Sequence, residues 1–176
     1  SDRKTRQCVR HYKKKYPESI VVLTGCMPQS FPEMAEKLIE ADIVLGNKNN
    51  KLLVSSLNEY VTSKCRVLNI EQHKSGECLV SSGISKFDER TRATLKIEDG
   101  CDRFCSYCII PKARGRIRWK PIDDIKNEVK ALADNGYREI VLVGINLSAY
   151  GKGSDLDLAD AISVVSENEK IERIRL

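Results

Sequence analysis

The sequence predicts an α/β chain: a partial parallel α/β layer at its start, then the first part of a (β/α) barrel. Three observations carry this. Ile20-Val21-Val22-Leu23, Ile43-Val44-Leu45 and Ile140-Val141-Leu142-Val143 are short runs rich in β-branched residues, and each ends within two residues of a glycine. Apolar residues recur at helical spacing between such runs, and that order of strand and helix favours parallel pairing. Periodicity fades from Thr62 to about Arg92. The chain therefore divides into residues 1–62, a connector at 63–92, and 93–176.

Residues 1–15 predict a basic helix with Arg3, Lys4, Arg6, Arg10 and Lys13 to Lys15, and with Val9 and Tyr12 as sparse apolar positions. Ile20 to Leu23, bounded by Pro17 and Gly25, reads as a buried strand. Pro32 suits the first turn of a helix with Met34, Leu38 and Ile39 facing inward. Ile43 to Leu45 is a second strand closed by Gly46, and Leu52, Leu53, Leu57, Tyr60 and Val61 then follow at helical spacing. In the connector, Val67 to Ile70 suits a short strand, among Lys64, Gly76, Ser81, Ser82 and Gly83. His73, between Cys65 and Cys78, is a metal ligand or, on the plainer reading, a solvated imidazole in a surface loop.

The second series opens with the alternating strand Ala93 to Ile97. Pro121 starts a helix with Ile122, Ile125, Val129 and Leu132 on one face, closed by Gly136. Ile140 to Val143 reads as a fully buried strand ending at Gly144. Leu158, Ala159, Ile162 and Val165 make another helical face, and Ile171, Ile174 and Leu176 begin a third strand. In a (β/α) barrel the chemistry belongs at the carboxyl ends of the strands. The chain opens at Ser1 inside a helix and stops at Leu176 on a strand edge, so a fragment truncated at both ends is expected.

The 176 residues are 41% hydrophobic and 31% charged, which describes a globular chain. No apolar run is long enough to span a bilayer, and no signal-peptide pattern opens the chain. Seven cysteines without such a signal point to metal binding in a reducing, cytoplasmic compartment and away from a disulfide framework. A net charge of +5 permits a nucleic-acid partner.

Gly100-Cys101-Asp102-Arg103-Phe104-Cys105-Ser106-Tyr107-Cys108 follows the Ala93–Ile97 strand. Three thiolates in this C-x3-C-x2-C spacing can hold three corners of a cubane iron–sulfur cluster and leave one iron open to a small molecule. The alternatives are a zinc knuckle or buried thiols. A structural zinc asks for four ligands, and no fourth Cys or His lies near in sequence.

This spacing, with an aromatic just before the last cysteine, resembles the radical S-adenosylmethionine (SAM) superfamily. The resemblance implies that Cys101, Cys105 and Cys108 hold a 4Fe–4S cluster whose open iron chelates SAM. It also implies that Tyr107 packs against the adenine. Asp2 to Gln7, Thr24 to Gln29, the cysteine loop with Ile109-Ile110-Pro111 and Arg114-Gly115, and Gly144 to Gly151 occur here in one order. Together they look like the methylthiotransferases of that superfamily. Those enzymes join an N-terminal domain bearing a second, auxiliary 4Fe–4S cluster to a radical SAM barrel and a small C-terminal RNA-binding domain. Cys26, by itself no more than a thiol after a strand, matches the third auxiliary-cluster ligand. Cys8 falls outside the ligand pattern.

Among the branches, the Asp2–Gln7 start and Ile145-Asn146-Leu147-Ser148 resemble the enzyme acting on N6-threonylcarbamoyladenosine (t6A) in tRNA. The implied reaction uses two SAM molecules. One methylates a sulfur on the auxiliary cluster; the other yields a 5′-deoxyadenosyl radical that removes hydrogen from carbon 2 of the adenine, which then takes the methylthio group. The implied partners are the tRNA anticodon loop and an electron donor. The alternatives are an isopentenyladenosine tRNA or ribosomal-protein aspartate branch, or a non-catalytic iron–sulfur or RNA-binding fragment. Gly144, Asn146 and Arg114 are candidate cofactor contacts, weighed against an ordinary strand-to-loop turn for the first two and a solvated or RNA-facing arginine for the third. No catalytic side chain is assigned. Trp119 stands where the family more often has a small Ser. The basic first helix and the run Lys112, Arg114, Arg116, Arg118, Lys120 face phosphates or are simply solvated.

Overall fold

The computed structural model describes residues 2–74, 77–79 and 91–176. Ser1, Gly76, Ser81, Ser82 and Gly83 lie outside the described residues. The chain divides into one unit of residues 1–73 with 105–115, and a second of residues 74–104 with 116–176.

The first unit opens with helix α1 (Asp2–Lys15), whose Asp2 start and Lys13 to Lys15 end complement the helix dipole. Strand β1 (Val22–Gly25) leads into two short helices, α2 (Cys26–Ser30) and α3 (Pro32–Glu36), and then β2 (Ile43–Gly46). A 3-10 segment (Asn47–Leu52) precedes α4 (Leu53–Ser63) and β3 (Val67–Asn69), and α5 (Ile110–Arg114) completes the unit. The strands run parallel in the order β1-β2-β3, with Val22 beside Ile43 and Ile43 beside Val67.

Alternation in β2 serves two cores. Val44 joins Val9, Leu23, Met27, Ala35 and Leu38, whereas Ile43 and Leu45 join Val67, with Leu57 and Tyr60 of α4 packed on them. The sheet is thus covered on both faces. Asp42, just ahead of β2, ties these pieces together. Its carboxylate accepts from Val21 N at 2.7 Å, Lys13 Nζ at 2.9 Å and the Tyr60 hydroxyl at 2.9 Å. Arg66 donates to the carbonyls of Ala35, Glu36, Leu38 and Ala41, satisfying acceptors left over where α3 ends.

Several expected positions move. The first strand starts at Val22 and not Ile20, because Val21 bonds sideways to Asp42. Leu38 is buried but Ile39 is 78% exposed, since α3 stops at Glu36 and the chain turns. Leu52, Leu53 and Val61 are exposed as well: the 3-10 segment delays α4, so Leu57 and Tyr60 carry its contact with the sheet. β3 lies in the stretch read as connector and pairs with β2, so the first layer runs past residue 62. His73 is half-buried with Nε2 out of solvent, and its Cβ stands 2.5 Å from where a Gly115 Cβ would be. The solvated imidazole is corrected by that packing.

The second unit contains β4 (Ala93–Lys96), β5 (Glu98–Asp99), β6 (Arg118–Trp119), α6 (Ile122–Asp134), β7 (Glu139–Val143), α7 (Leu158–Ser166) and β8 (Arg173–Arg175). The parallel order β4-β7-β8 is the strand–helix repeat expected of a barrel's start. Ala93, Leu95, Ile140 and Leu142 bury one face with Ile125, Val129, Leu132, Ala161 and Val165. A capping box of Asp157 and Asp160 starts α7, satisfying its first N–H groups.

β7 corrects a reading. It alternates, with Ile140 and Leu142 buried and Val141 and Val143 only partly so, because α6 and α7 cover one face. Ala159 and Leu176 are exposed rather than in the core. The antiparallel pair of β5 and β6 was not anticipated. Trp119 in β6 packs beside Tyr150, ring centroids 5.7 Å apart.

Candidate cofactor site

In the second unit, β4 continues through β5 into Gly100 and Cys101. Asp99 is almost buried. Its carboxylate accepts from Lys96 Nζ at 2.5 Å and from Gly100 N at 3.0 Å, and Arg118 lies 3.7 Å away. Gly100 turns at φ +88° and Phe104 holds φ +46°, a left-handed conformation costly for a bulky residue. The Arg116 guanidinium sits 5.1 Å over the Phe104 ring. Asp102 accepts from Ile117 N at 3.3 Å and Lys152 Nζ at 3.2 Å. The approach to Cys101 is therefore held by carboxylates at 99 and 102, on either side of the turn.

Beside it, the loop after β7 is fixed from below by Glu98. This side chain is fully buried, and Oε2 accepts from Asn146 N at 2.7 Å. Burial pushes its carboxyl up, while the Asn146 and Ile145 N–H groups pull it back only in part. A Cβ on Gly144 would stand 2.6 Å from Glu98 Oε2, so only glycine lets the backbone lie this close. Asn146 Oδ1 accepts from the Ser148 hydroxyl at 3.0 Å. Asn146 also lines a cavity of about 420 Å³ with Asp102, Arg103, Tyr150, Lys152 and Leu156. Gly144 and Asn146 thus share one braced loop.

In the first unit, Cys105 and Cys108 form a turn in which Cys108 N donates to Cys105 O at 2.9 Å. Cys105 is exposed and Cys108 half-buried, as is Cys101 in the second unit. Tyr107 is 91% exposed, an aromatic face open to a planar ligand. Arg114 is half-buried in the last turn of α5. Cys26 follows Gly25, which turns at φ +105°. The Asn47 amide donates to Cys26 Sγ at 3.8 Å and to Ala113 O at 3.4 Å. Cys8, Cys65 and Cys78 are exposed free thiols.

All seven cysteines are free, so the C-x3-C-x2-C donor set fits an iron–sulfur cluster chemically: three reduced thiols, each reachable by solvent. Among the described residues, no three His, Cys, Asp or Glu side chains are gathered as a metal-ion site.

The basic run is not one phosphate-facing stripe. Lys120 is 2% exposed and paired with Glu128, Arg118 faces Asp99, and Lys112 lies 4.8 Å over the Phe31 ring. In α1, Lys13 and Arg10 are bonded to Asp42 and Glu40, while Arg3, Lys4, Lys14 and Lys15 remain exposed. Sequence reasoning missed Glu98, Asp99, Asp102 and Asn47. Two acidic residues closing an apolar strand just before Gly-Cys were the available signal. Among the described residues, no helix is long and apolar enough to cross a membrane.

Residues 95–176 match the radical SAM superfamily. Nearly the whole chain is similar to the threonylcarbamoyladenosine tRNA methylthiotransferase MtaB of Aquifex aeolicus, 36% identical over 99% of this chain and 43% of that protein. The Bacillus subtilis protein of the same name is 31% identical over 99% of this chain and 39% of its own length. A tRNA-2-methylthio-N(6)-dimethylallyladenosine synthase of Clostridium perfringens is 33% identical over 95% of this chain and 38% of that protein. The chain spans about two fifths of the length of these curated relatives. With its C-x3-C-x2-C loop following the first strand of a parallel β4-β7-β8 sheet, the chain carries a radical SAM domain over residues 95–176 and is similar along nearly its whole length to methylthiotransferases.

Proposed function

We propose that this chain takes part in methylthiolation of carbon 2 of N6-threonylcarbamoyladenosine in tRNA, beside the anticodon, in the cytoplasm. The observation that carries the proposal is the C-x3-C-x2-C loop after β4–β5, in a stretch that matches the radical SAM superfamily. Similarity to relatives named for the t6A substrate at 31–36% identity supports that branch. A relative named for dimethylallyladenosine at 33% keeps the isopentenyl-type substrate as the second reading.

Cys101, Cys105 and Cys108 would hold a 4Fe–4S cluster, and Cys26 would be one ligand of a second, auxiliary cluster. When bound, the first supplies the electron for reductive cleavage of SAM, drawn from a separate electron donor. The chain's own work is positioning. Tyr107 offers a stacking face for adenine, and Gly144 presents backbone that a side chain would block. Asn146 offers an amide at the rim of the cavity, and Arg114 a cation for the SAM carboxylate or RNA phosphate. Asp99 and Asp102 hold the turn into Cys101. An anticodon loop suits such a site because its bases unstack at low cost.

Anaerobic reconstitution followed by iron and sulfide analysis, with the reduced-state EPR signal recorded with and without SAM, tests the assignment. About four irons per chain and a signal that shifts with SAM are expected. No iron, or a signal indifferent to SAM, overturns it. Methylthio transfer by the protein to t6A-bearing tRNA against isopentenyladenosine-bearing tRNA decides the branch.

A further inference from the structure

We propose that Glu98 is a positioning residue that sets the loop Gly144–Asn146 for SAM; this rests on the reading of that loop as a cofactor contact. Four observations converge. Glu98 is fully buried in β5, just past the carboxyl end of β4. Its Oε2 accepts from Asn146 N at 2.7 Å, across 48 residues of sequence, and the Ile145 N–H also bonds the carboxylate. Gly144 lies against it so tightly that a Cβ would meet Oε2 at 2.6 Å and Leu147 Cδ2 at 3.0 Å. Glu98 Oε1 is buried with no hydrogen-bond partner.

A carboxylate held out of water with one oxygen unsatisfied is a poor choice for stability alone. Here it gathers two consecutive N–H groups of a loop that no strand pairing would otherwise fix, and that loop carries Asn146 to the cavity rim. Holding a contact loop in place before the ligand arrives removes its ordering cost from binding.

The test compares wild type, Glu98→Ala, Glu98→Gln and Gly144→Ala on the anaerobically reconstituted chain. Iron content, the SAM dissociation constant, and hydrogen exchange at the Ile145 and Asn146 amides are measured for each. Glu98→Ala is expected to keep its iron, speed exchange at both amides and weaken SAM about tenfold, as loss of a charge-assisted bond predicts. Glu98→Gln keeps an accepting oxygen and should return both readouts to within about threefold of wild type. Gly144→Ala should weaken SAM with Glu98 intact, and do so less in the Glu98→Ala background, where the nearest clashing atom is gone.

Unchanged exchange in Glu98→Ala overturns the clamp. Faster exchange with unchanged SAM affinity overturns its role toward the cofactor. A wild type that binds its iron but not SAM overturns the reading of the loop, while exchange still decides the clamp. If Glu98→Ala fails to fold, Glu98→Gln with Gly144→Ala carries the same comparison.

Discussion

The two sheets start from similar apolar runs and are buried differently. In the first, every residue of β2 is out of solvent, with helices on both faces. In the second, β7 buries Ile140 and Leu142 and leaves Val141 and Val143 half-covered. Yet each unit delivers a cysteine in the same way: Thr24-Gly25 ends β1 before Cys26, and Asp99 ends β5 before Gly100-Cys101, each glycine at positive φ. The scaffold differs and the strand-end device is shared. Strand ends, not sheet coverage, place these two cysteines.

The two Gly-Cys turns give the largest expected effect. Cys101→Ala should remove most of the iron bound after reconstitution and abolish the SAM-dependent EPR shift, because two thiolates should not retain a cubane. Cys26→Ala should leave the SAM-responsive signal in place. Equal loss in both variants would mean that the turns serve one site.

A single substitution placed in both sheets tests the coverage itself. Val44→Thr puts a hydroxyl into a core sealed on both sides and should cost about 1–3 kcal/mol. Val141→Thr, half-exposed, should cost under about 0.5 kcal/mol. Urea unfolding curves of the two variants measure the gap, and equal costs would show that the second sheet's other face is as dry as the first's.

That contrast also marks what the sequence could reveal. The short β-branched runs, the Pro-started helices and the cysteine spacing are local features, and they were legible. Whether a strand has one covered face or two depends on helices far along the chain, and Val141 looks the same in either case. Ile39 and Leu38 differ by one position, yet where α3 stops decides which is buried. Glu98 was invisible as a functional candidate because its partner, Asn146, is 48 residues away. Lys120 read as part of a basic run, and only the approach of Glu128 on α6 made it interior.

Two carboxylates, Asp42 half-buried and Glu98 fully buried, differ in sign. For Asp42, burial raises the carboxyl, but the Val21 N–H, Lys13 and Tyr60 outweigh it, and it ends below its ordinary 3.8. Its stabilisation is therefore present above that value and lost as pH falls through the folded value. Asp42→Asn should cost about 1–2 kcal/mol near neutral pH, and the difference from wild type should close in acid below pH 3.8. Glu98 lies above its ordinary 4.5, so wild type should lose stability relative to Glu98→Gln as pH rises through the raised value. Unfolding free energies from pH 3 to pH 8, on the order of six points, give both slopes. A parallel pH profile for the two variants would contradict the opposite signs.

The smallest effect compares the two left-handed residues that are not glycine. Lys64, at φ +56°, ends α4, and its N–H donates to Tyr60 O at 2.8 Å. Nothing else is asked of that position. Lys64→Gly should therefore remove the strain and raise stability by about 0.5–1 kcal/mol. Phe104, at φ +46°, sits between Cys101 and Cys105 with its ring under Arg116. Phe104→Gly relieves the same strain but frees the loop and gives up the stacked cation, so its gain should be smaller or reversed. The thermal midpoints of the two variants decide this. A midpoint that rises equally for both would mean that the conformation of Phe104 stores strain with no compensating contact.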